Sequence, residues 1–310
     1  MASSYGKTIR KVRLNAGFSQ KEVYTEIVSK SFAIAFEKGE YSIKIESFLE
    51  ILERLMLSFD EFMYIHQGYQ TKKIEDLGNR INLASNQNNE ALLKKYYDEA
   101  KNSRSMKTRV LAEQAHVLSY VIHYRNQPEE NKIYPQESVQ FLKTFLLRSD
   151  EWTFRELTIF NNVSDIFDEQ TEEMLTIYAL KTIDRYQNYV RLQDELFLIS
   201  LSILGTTIEK GRLKQAKEQI KNLAAKPYDT FQMLHRTLLL FYKGTVSYLE
   251  GDQEKGIYLL SQAFLMLKLD HQEVLKRQFY QVLEKHSTVN VKEIVSQVNR
   301  CLAYLEITND

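Results

Sequence analysis

Glycine and proline are scarce in this chain, with 10 and 3 among 310 residues. Strand-rich folds need many such residues for turns, whereas long helices joined by short turns need few, so the shortage excludes a β-rich architecture. Cysteine occurs once, as Cys301, which excludes an intrachain disulfide and a cysteine-ligated metal and fits a reducing cytoplasm. Net charge is zero, so no global basic excess points to nucleic acid. The most apolar stretch, Leu196 to Ile208, is too short to span a bilayer and reads as a buried core helix. No signal peptide is expected, because Lys7, Arg10 and Lys11 interrupt any opening apolar run.

What is present completes an all-α reading. The hydrophobic fraction is 44%, with 19 Tyr and 16 Phe, enough for a packed core. The length exceeds one small core and suggests a small domain followed by a second domain or an array. Charge is unevenly placed. Residues 1–44 hold Lys7, Arg10, Lys11, Arg13, Lys21, Lys30, Lys38 and Lys44 against Glu22, Glu26, Glu37 and Glu40. Residues 45–68 hold Arg54 against Glu46, Glu50, Glu53, Asp60 and Glu61. A basic front with an acidic back is the polarity a DNA reader needs, although scattered surface charge produces the same count.

The opening 67 residues read as five short helices. Ile9, Val12 and Ala16 form one apolar face from about Gly6, and Gly17 stops that helix. Ser19 with Glu22 is a capping box, and Val23 and Ile27 face inward behind it. Ser29 caps the third helix, with Ala33 and Phe36 inward and Lys30, Ser31 and Ile34 outward, and Gly39 ends it. The fourth helix spans about Lys44 to Met56, with Ile45, Phe48, Leu49, Leu52 and Leu55 expected on its core face. Ser58 with Glu61 is a second capping box, and Phe59, Phe62 and Ile65 anchor the fifth helix. Two short helices joined by a tight turn inside such a set read as a helix-turn-helix.

The stretches Ile9–Arg10–Lys11–Val12–Arg13, Gly17–Phe18–Ser19–Gln20–Lys21–Glu22–Val23, Phe36–Glu37–Lys38–Gly39–Glu40 and Leu57–Ser58–Phe59–Asp60–Glu61–Phe62 resemble the Xre-type helix-turn-helix. The resemblance implies an Arg13–Glu37 pair locking the first helix to the third. It also implies double-stranded DNA as partner, with Lys30, Ser31 and Phe32 at base edges and Ile34 against a thymine methyl. Gln20 and Lys21 would hold phosphates, with Ser29 beside them. Ile34 and Ala35 depart from the family, which usually carries a polar and a basic residue there.

After Gly68 about a dozen helices are expected in antiparallel pairs, separated by breaks such as 85–89, 125–128, Lys210–Gly211 and Gly251–Asp252. Gly244, Gly256 and Ala263 sit where the tetratricopeptide pattern wants small residues, echoed imperfectly by Gly205, Ala216 and Ile220. The expected fold is therefore all-α: a five-helix domain over 1–67, then a tetratricopeptide-like right-handed array over 68–310 that regulates and dimerises. Trp152, Glu156, Leu157, Phe160 and Asn161 resemble the start of the regulatory domain of the Rgg/GadR/MutR regulators, in the peptide pheromone receptor group. That resemblance implies a cytoplasmic homodimer on an inverted-repeat operator, controlled by a short hydrophobic peptide in a concave groove. Arg155 would meet a peptide carboxylate and Asn161 and Asn162 its backbone, while Phe197, Leu201, Phe241 and Tyr248 would form apolar pockets. The plainer reading leaves Asn161 and Asn162 as a helix end and Arg155 as solvated charge. Val291, Ile294, Val298, Leu302 and Leu305 form a stripe that either dimerises or caps the array.

No enzyme is expected. His66, His116, His123, His235, His271 and His286 lack metal-ligand spacing, and no phosphate loop, dinucleotide fingerprint or nucleophile elbow occurs. No cofactor, metal or membrane is expected. Two rival readings remain: a helical interaction scaffold with a vestigial DNA-binding domain, and a DNA-binding regulator controlled by a protein or a small molecule.

Overall fold

Hydroxyl side chains set where the first helices begin. Ser4 accepts from the Lys7 amide at the start of α1 (Tyr5–Asn15). Ser19 and Glu22 form the reciprocal capping box at α2 (Gln20–Tyr24). Ser29 accepts from Phe32 at α3 (Lys30–Lys38), which Gly39 closes with φ 83°, a left-handed geometry costly for other residues. α4 (Ile45–Arg54) begins without a side-chain cap, and Ser58 accepts from Glu61 at α5 (Phe59–His66). These five helices share one core of Ile9, Val23, Ala33, Phe36, Phe48, Ile51, Leu52, Leu55 and Phe62, among others.

One expected core face shifts. Ile45 and Leu49 are exposed, and Ile51 is fully buried in their place. Phe48, Ile51, Leu52 and Leu55 follow the i, i+3, i+4, i+7 spacing, and Leu49 lies about 100° off that stripe. Ile45 belongs to the first turn, where Ile43 from the preceding loop packs on the core instead. Phe59 is likewise largely exposed, leaving Phe62 as the buried anchor of α5.

The computed structural model describes residues 4–70, 73–125, 127–128, 131–225, 233–284 and 290–307. Twelve further α-helices follow among them, and no strand: α6 (Lys73–Asn86), α7 (Glu90–Ala100), α8 (Met106–His123), α9 (Gln136–Leu146), α10 (Phe154–Val163), α11 (Glu169–Tyr186), α12 (Gln193–Glu209), α13 (Leu213–Ala224), α14 (Met233–Leu249), α15 (Gln253–Leu269), α16 (Glu273–Glu284) and α17 (Val291–Ile307). The chain divides into two compact units, Met1–Ala115 and His116–Asp310. The first therefore holds α6 and α7, packed as a pair, besides the five-helix core.

In the second unit each helix from α10 onward packs on the next. Contacts of α10 with α12, α12 with α14 and α15 with α17 add the repeat of a tetratricopeptide-like array. Its closest crossing is α14 on α15. A Cβ at Gly256 would lie 2.6 Å from Tyr248 Cβ, and one at Gly244 would lie 2.8 Å from Leu260 Cγ, so the two small residues let the backbones approach. Ala263 is completely buried nearby in the same core. Trp152 is also buried, donating from Nε1 to the Leu146 carbonyl at 3.0 Å and meeting Tyr178 edge-on. Among the described residues no helix is long and apolar enough to cross a membrane.

The C-terminal stripe is not a free surface where it is described. Ile294 and Val298 are buried in the array core, Val291 packs against it, and Ser261 bonds Gln297 between α15 and α17 at 3.1 Å. This part packs its apolar face on α15 as a member of the array core. The side chains of Leu302, Leu305 and Cys301, and His286, lie outside the described residues.

Candidate functional site

A buried lock sets the position of α3. Arg13 meets Glu37 through two hydrogen bonds, Nε to Oε1 at 2.6 Å and Nη2 to Oε2 at 2.8 Å. Its Nη1 donates to the Phe18 carbonyl at 2.8 Å, which draws the turn before α2 into the same network. Gln20 Nε2 and the Tyr24 hydroxyl also donate to Glu37, at 2.8 and 2.9 Å. Burial pushes the Glu37 carboxyl up, but the donors from Arg13, Gln20 and Tyr24 outweigh it and leave the group below its ordinary value. Burial raises the Tyr24 hydroxyl, and its nearness to Glu37 raises it further. A charge buried this deeply is tolerable only when paired and fully hydrogen-bonded, and here it is both.

This lock presents the outer face of α3. Lys30, Ser31 and Ile34 are exposed, as their i, i+1, i+4 spacing implies, and Lys21 is exposed at the start of α2. Ser29 is committed to its cap and lies 3.2 Å from Ser31 through the two hydroxyls. Phe32 is placed differently from the expectation. It is half-buried against the core and stacks on Tyr41 with ring centroids 5.7 Å apart. Gln20 is likewise engaged, since its amide N–H belongs to Glu37. Both therefore shape the surface more than they extend from it.

The array contains a cavity of about 490 Å³ between α11, α12 and α13. Ile177, Leu180, Ile183 and Leu223 give it an apolar side. Glu172, Glu173, Lys210 and Arg212 supply charge, and Gln215, Gln219 and Asn222 supply amides. The charged groups are mutually engaged. Lys210 bridges Glu172 at 2.5 Å, and Arg212 holds both Glu173 and, at 3.1 Å, Glu169. A smaller hollow shares Glu172, Thr176 and Thr206 with this lining and is completed by Asn161 from α10. Two side-chain oxygens in these linings, Gln219 Oε1 and Asn161 Oδ1, are buried with no hydrogen-bond partner.

The sequence-expected ligand residues separate here. Asn161 reaches the hollow, but Arg155 does not share its side of α10, because six residues of helix turn it away by about 120°. Arg155 instead lines a different cavity with Phe145, Trp152 and Glu156. Its guanidinium is held by Glu156 at 2.6 and 3.0 Å and lies over the Phe145 ring. Asn162 is half-buried on the side of Arg155, seven residues on. Phe197, Leu201, Phe241 and Tyr248 are 0–5% exposed and belong to the array core, so they support the groove from within instead of lining it. Gln219, Thr207 and Glu172 were missed. On α13 the polar positions 215, 218, 219 and 222 look like an ordinary solvated helix face, and only packing against α12 reveals the cavity.

Among the described residues no group of three His, Cys, Asp or Glu side chains stands ready for a metal ion. His116 is accounted for by Ser138, 2.7 Å from its Nδ1, and by the Tyr120 ring.

Comparison with known proteins agrees with this architecture. A candidate transcriptional regulator from Listeria monocytogenes EGD-e is similar over 93% of this chain and 99% of its own, at 27% identity and a TM-score of 0.79. The SHP pheromone receptor Rgg2 of Streptococcus dysgalactiae is similar over 91% of this chain and 99% of its own, at 20% identity and a TM-score of 0.72. PrgX in its complex with cCF10 is similar over 91% and 99%, at 16% identity and a TM-score of 0.65. The last two show a shared fold. The family described as "HTH-type transcriptional regulator Rgg, C-terminal domain", one of regulators and not of enzymes, matches residues 90–281. Spanning more than half of the 310 residues, this match shows that the chain belongs to the Rgg family of transcriptional regulators.

Proposed function

We propose that this protein binds double-stranded DNA through residues 1–67 and is controlled by a short peptide held in the array of residues 68–310. The observation that carries the DNA reading is the Arg13–Glu37 lock presenting Lys30, Ser31 and Ile34 outward on a capped α3. Lys30 and Ser31 offer polar contacts to base edges, and Ile34 offers an apolar one to a thymine methyl. Lys21 and the amides at the start of α2 suit phosphates. Gln20, Ser29 and Phe32 contribute by holding these elements in place. The Ile34–Ala35 departure shifts base reading toward the first turn of α3.

Peptide control is supported by the array cavity and by two fold relatives, one named as a pheromone receptor and one solved with cCF10. Asn161 keeps its place in the ligand assignment, and Gln219 joins it. A single small domain with only its front basic makes few phosphate contacts and binds weakly at physiological salt, so we place the protein in the cytoplasm as a homodimer on an inverted repeat. The test is fluorescence anisotropy on duplexes selected from a randomised pool. Lys30→Ala with Ser31→Ala is expected to cost about 1–3 kcal/mol per lost base contact, and Lys21→Ala to reduce the salt slope by about one. Parent protein with no salt-sensitive DNA binding would favour the scaffold reading.

A further inference from the structure

The outer face of α1 breaks two local rules of helix charge. Lys7, Arg10, Lys11 and Leu14 follow i, i+3, i+4, i+7 spacing and are all exposed, away from the Ile9 side that enters the core. Acidic side chains favour the first turn of a helix, yet α1 carries none anywhere, and Lys7 stands in that turn. Lys7 also faces Arg10 and Lys11 one turn on, and like charges at i, i+3 and i, i+4 repel. Among the described residues no carboxylate pairs with any of the three. Local rules broken without compensation inside the protein are expected at functional sites.

These charges have a fixed place beside α3. A Cβ at Gly6 would collide with the Phe36 carbonyl oxygen, so glycine lets α1 rest directly on the last turns of α3. The Arg13–Glu37 lock holds α1 further along. Lys7 crosses to Gly39, where an added Cβ would lie 3.3 Å from its Cε. An open cleft of about 520 Å³ lies here, lined by the α1 stripe with Asn15 and, from α3, by Glu37 and Lys38. Its one carboxylate, Glu37, is neutralised by Arg13. Lys38 is exposed, and the Glu40 carboxylate 4.0 Å away is exposed too. The cleft is therefore strongly cationic.

Lys38 also belongs to the reading face. It stands four residues after Ile34 and seven after Ser31, so the three share one side of α3. We infer that the cleft grips the sugar-phosphate backbone of the duplex that α3 reads, at phosphates just outside the base pairs met by Lys30 and Ser31. Arg10 can take a phosphate through two parallel N–H groups, while Lys7 and Lys11 act as point charges. Lys38 joins the cleft to the reading face. This rests on the DNA reading above and adds a second anchor to Lys21 and the start of α2.

The experiment titrates the full chain by fluorescence anisotropy against a duplex selected from a randomised pool, across a range of salt. Lys7→Gln, Arg10→Gln and Lys11→Gln together should weaken binding by about 10-fold to 100-fold near physiological salt and lower the salt slope by about 2 to 3. The affinity ratio between selected and unselected duplexes should stay unchanged, because phosphate contacts carry no sequence information. The charge-keeping set Lys7→Arg, Arg10→Lys and Lys11→Arg should keep the parent slope. Position is read by replacing single phosphates with uncharged methylphosphonates. At least one replacement flanking the contacted base pairs should weaken the parent and leave the glutamine variant unmoved. An unchanged salt slope in the glutamine variant, or equal methylphosphonate effects in both proteins, would overturn the cleft while the parent's binding keeps the DNA reading. A glutamine variant that unfolds earlier than the parent would also overturn it, since the cations would then serve the fold. A parent with no salt-sensitive DNA binding would overturn both.

Discussion

One buried network in the first unit and one cavity wall in the second treat polarity in opposite ways. In the first, the buried Glu37 receives donors from Arg13, Gln20 and Tyr24, so the network is closed. In the second, Gln219 Oε1 and Asn161 Oδ1 are buried with nothing in the protein donating to them. A closed network fixes α3 in one geometry, while unmet buried acceptors leave their surroundings less fixed. The first arrangement favours rigidity and the second favours a response to binding.

The largest test of this contrast removes one side of the lock. Arg13→Ala leaves the buried Glu37 carboxylate without its partner and is expected to destabilise the first unit by about 3–5 kcal/mol. The single tryptophan, Trp152, is buried in the second unit and reports on it by fluorescence. The loss should therefore appear in circular dichroism during urea unfolding while the fluorescence midpoint stays in place. A fluorescence midpoint that falls equally would break the comparison, because the units would then unfold together.

A smaller effect is expected in the array. Gly256→Ala drives a methyl against Tyr248, with backbone Cα 2.8 Å away, and should cost about 1–3 kcal/mol by overpacking. Here the fluorescence midpoint should move. Absence of any shift would mean that the α14–α15 crossing relaxes freely.

The smallest concerns pH. Glu37 is held below its ordinary carboxylate value of 4.5, so its contribution to stability is fully present above that value and fades as pH falls through its lowered value. The Glu37 share of the first unit's stability should stay constant from pH 7 to about pH 5 and be lost progressively below, while His66, which burial holds below its ordinary value, adds a separate loss as pH falls through the histidine range. Denaturant titrations across this range check the slope, and Glu37→Gln should flatten the part due to this group.

Much of the first unit was legible because its signals are local. Ser19 with Glu22, Ser29, Gly39 and Ser58 place helix ends within a few residues, and α3 presents Lys30, Ser31 and Ile34 as its periodicity implies. Periodicity failed at Ile45 and Leu49: Ile51 took the inward place on α4, and Ile43 packs on the core from the preceding loop. The array was legible as a fold through Gly244, Gly256 and Ala263, but its cavity was not. Phe197, Leu201, Phe241 and Tyr248 are apolar on helices that are buried on several sides, so sequence spacing cannot separate core from groove. Gln219 looks like solvated surface, and only the Thr207 hydroxyl, fixed by its own backbone bond, gives its amide a direction.

The central claim is that occupation of the array changes DNA binding. It is tested most directly by anisotropy of a selected duplex with the full chain, with and without a peptide retained by the parent. The expected result is a change in DNA affinity of about 5-fold or more, lost in Gln219→Leu while that variant still binds DNA like the unliganded parent. A retained peptide that saturates the protein and leaves DNA affinity unmoved would contradict the account.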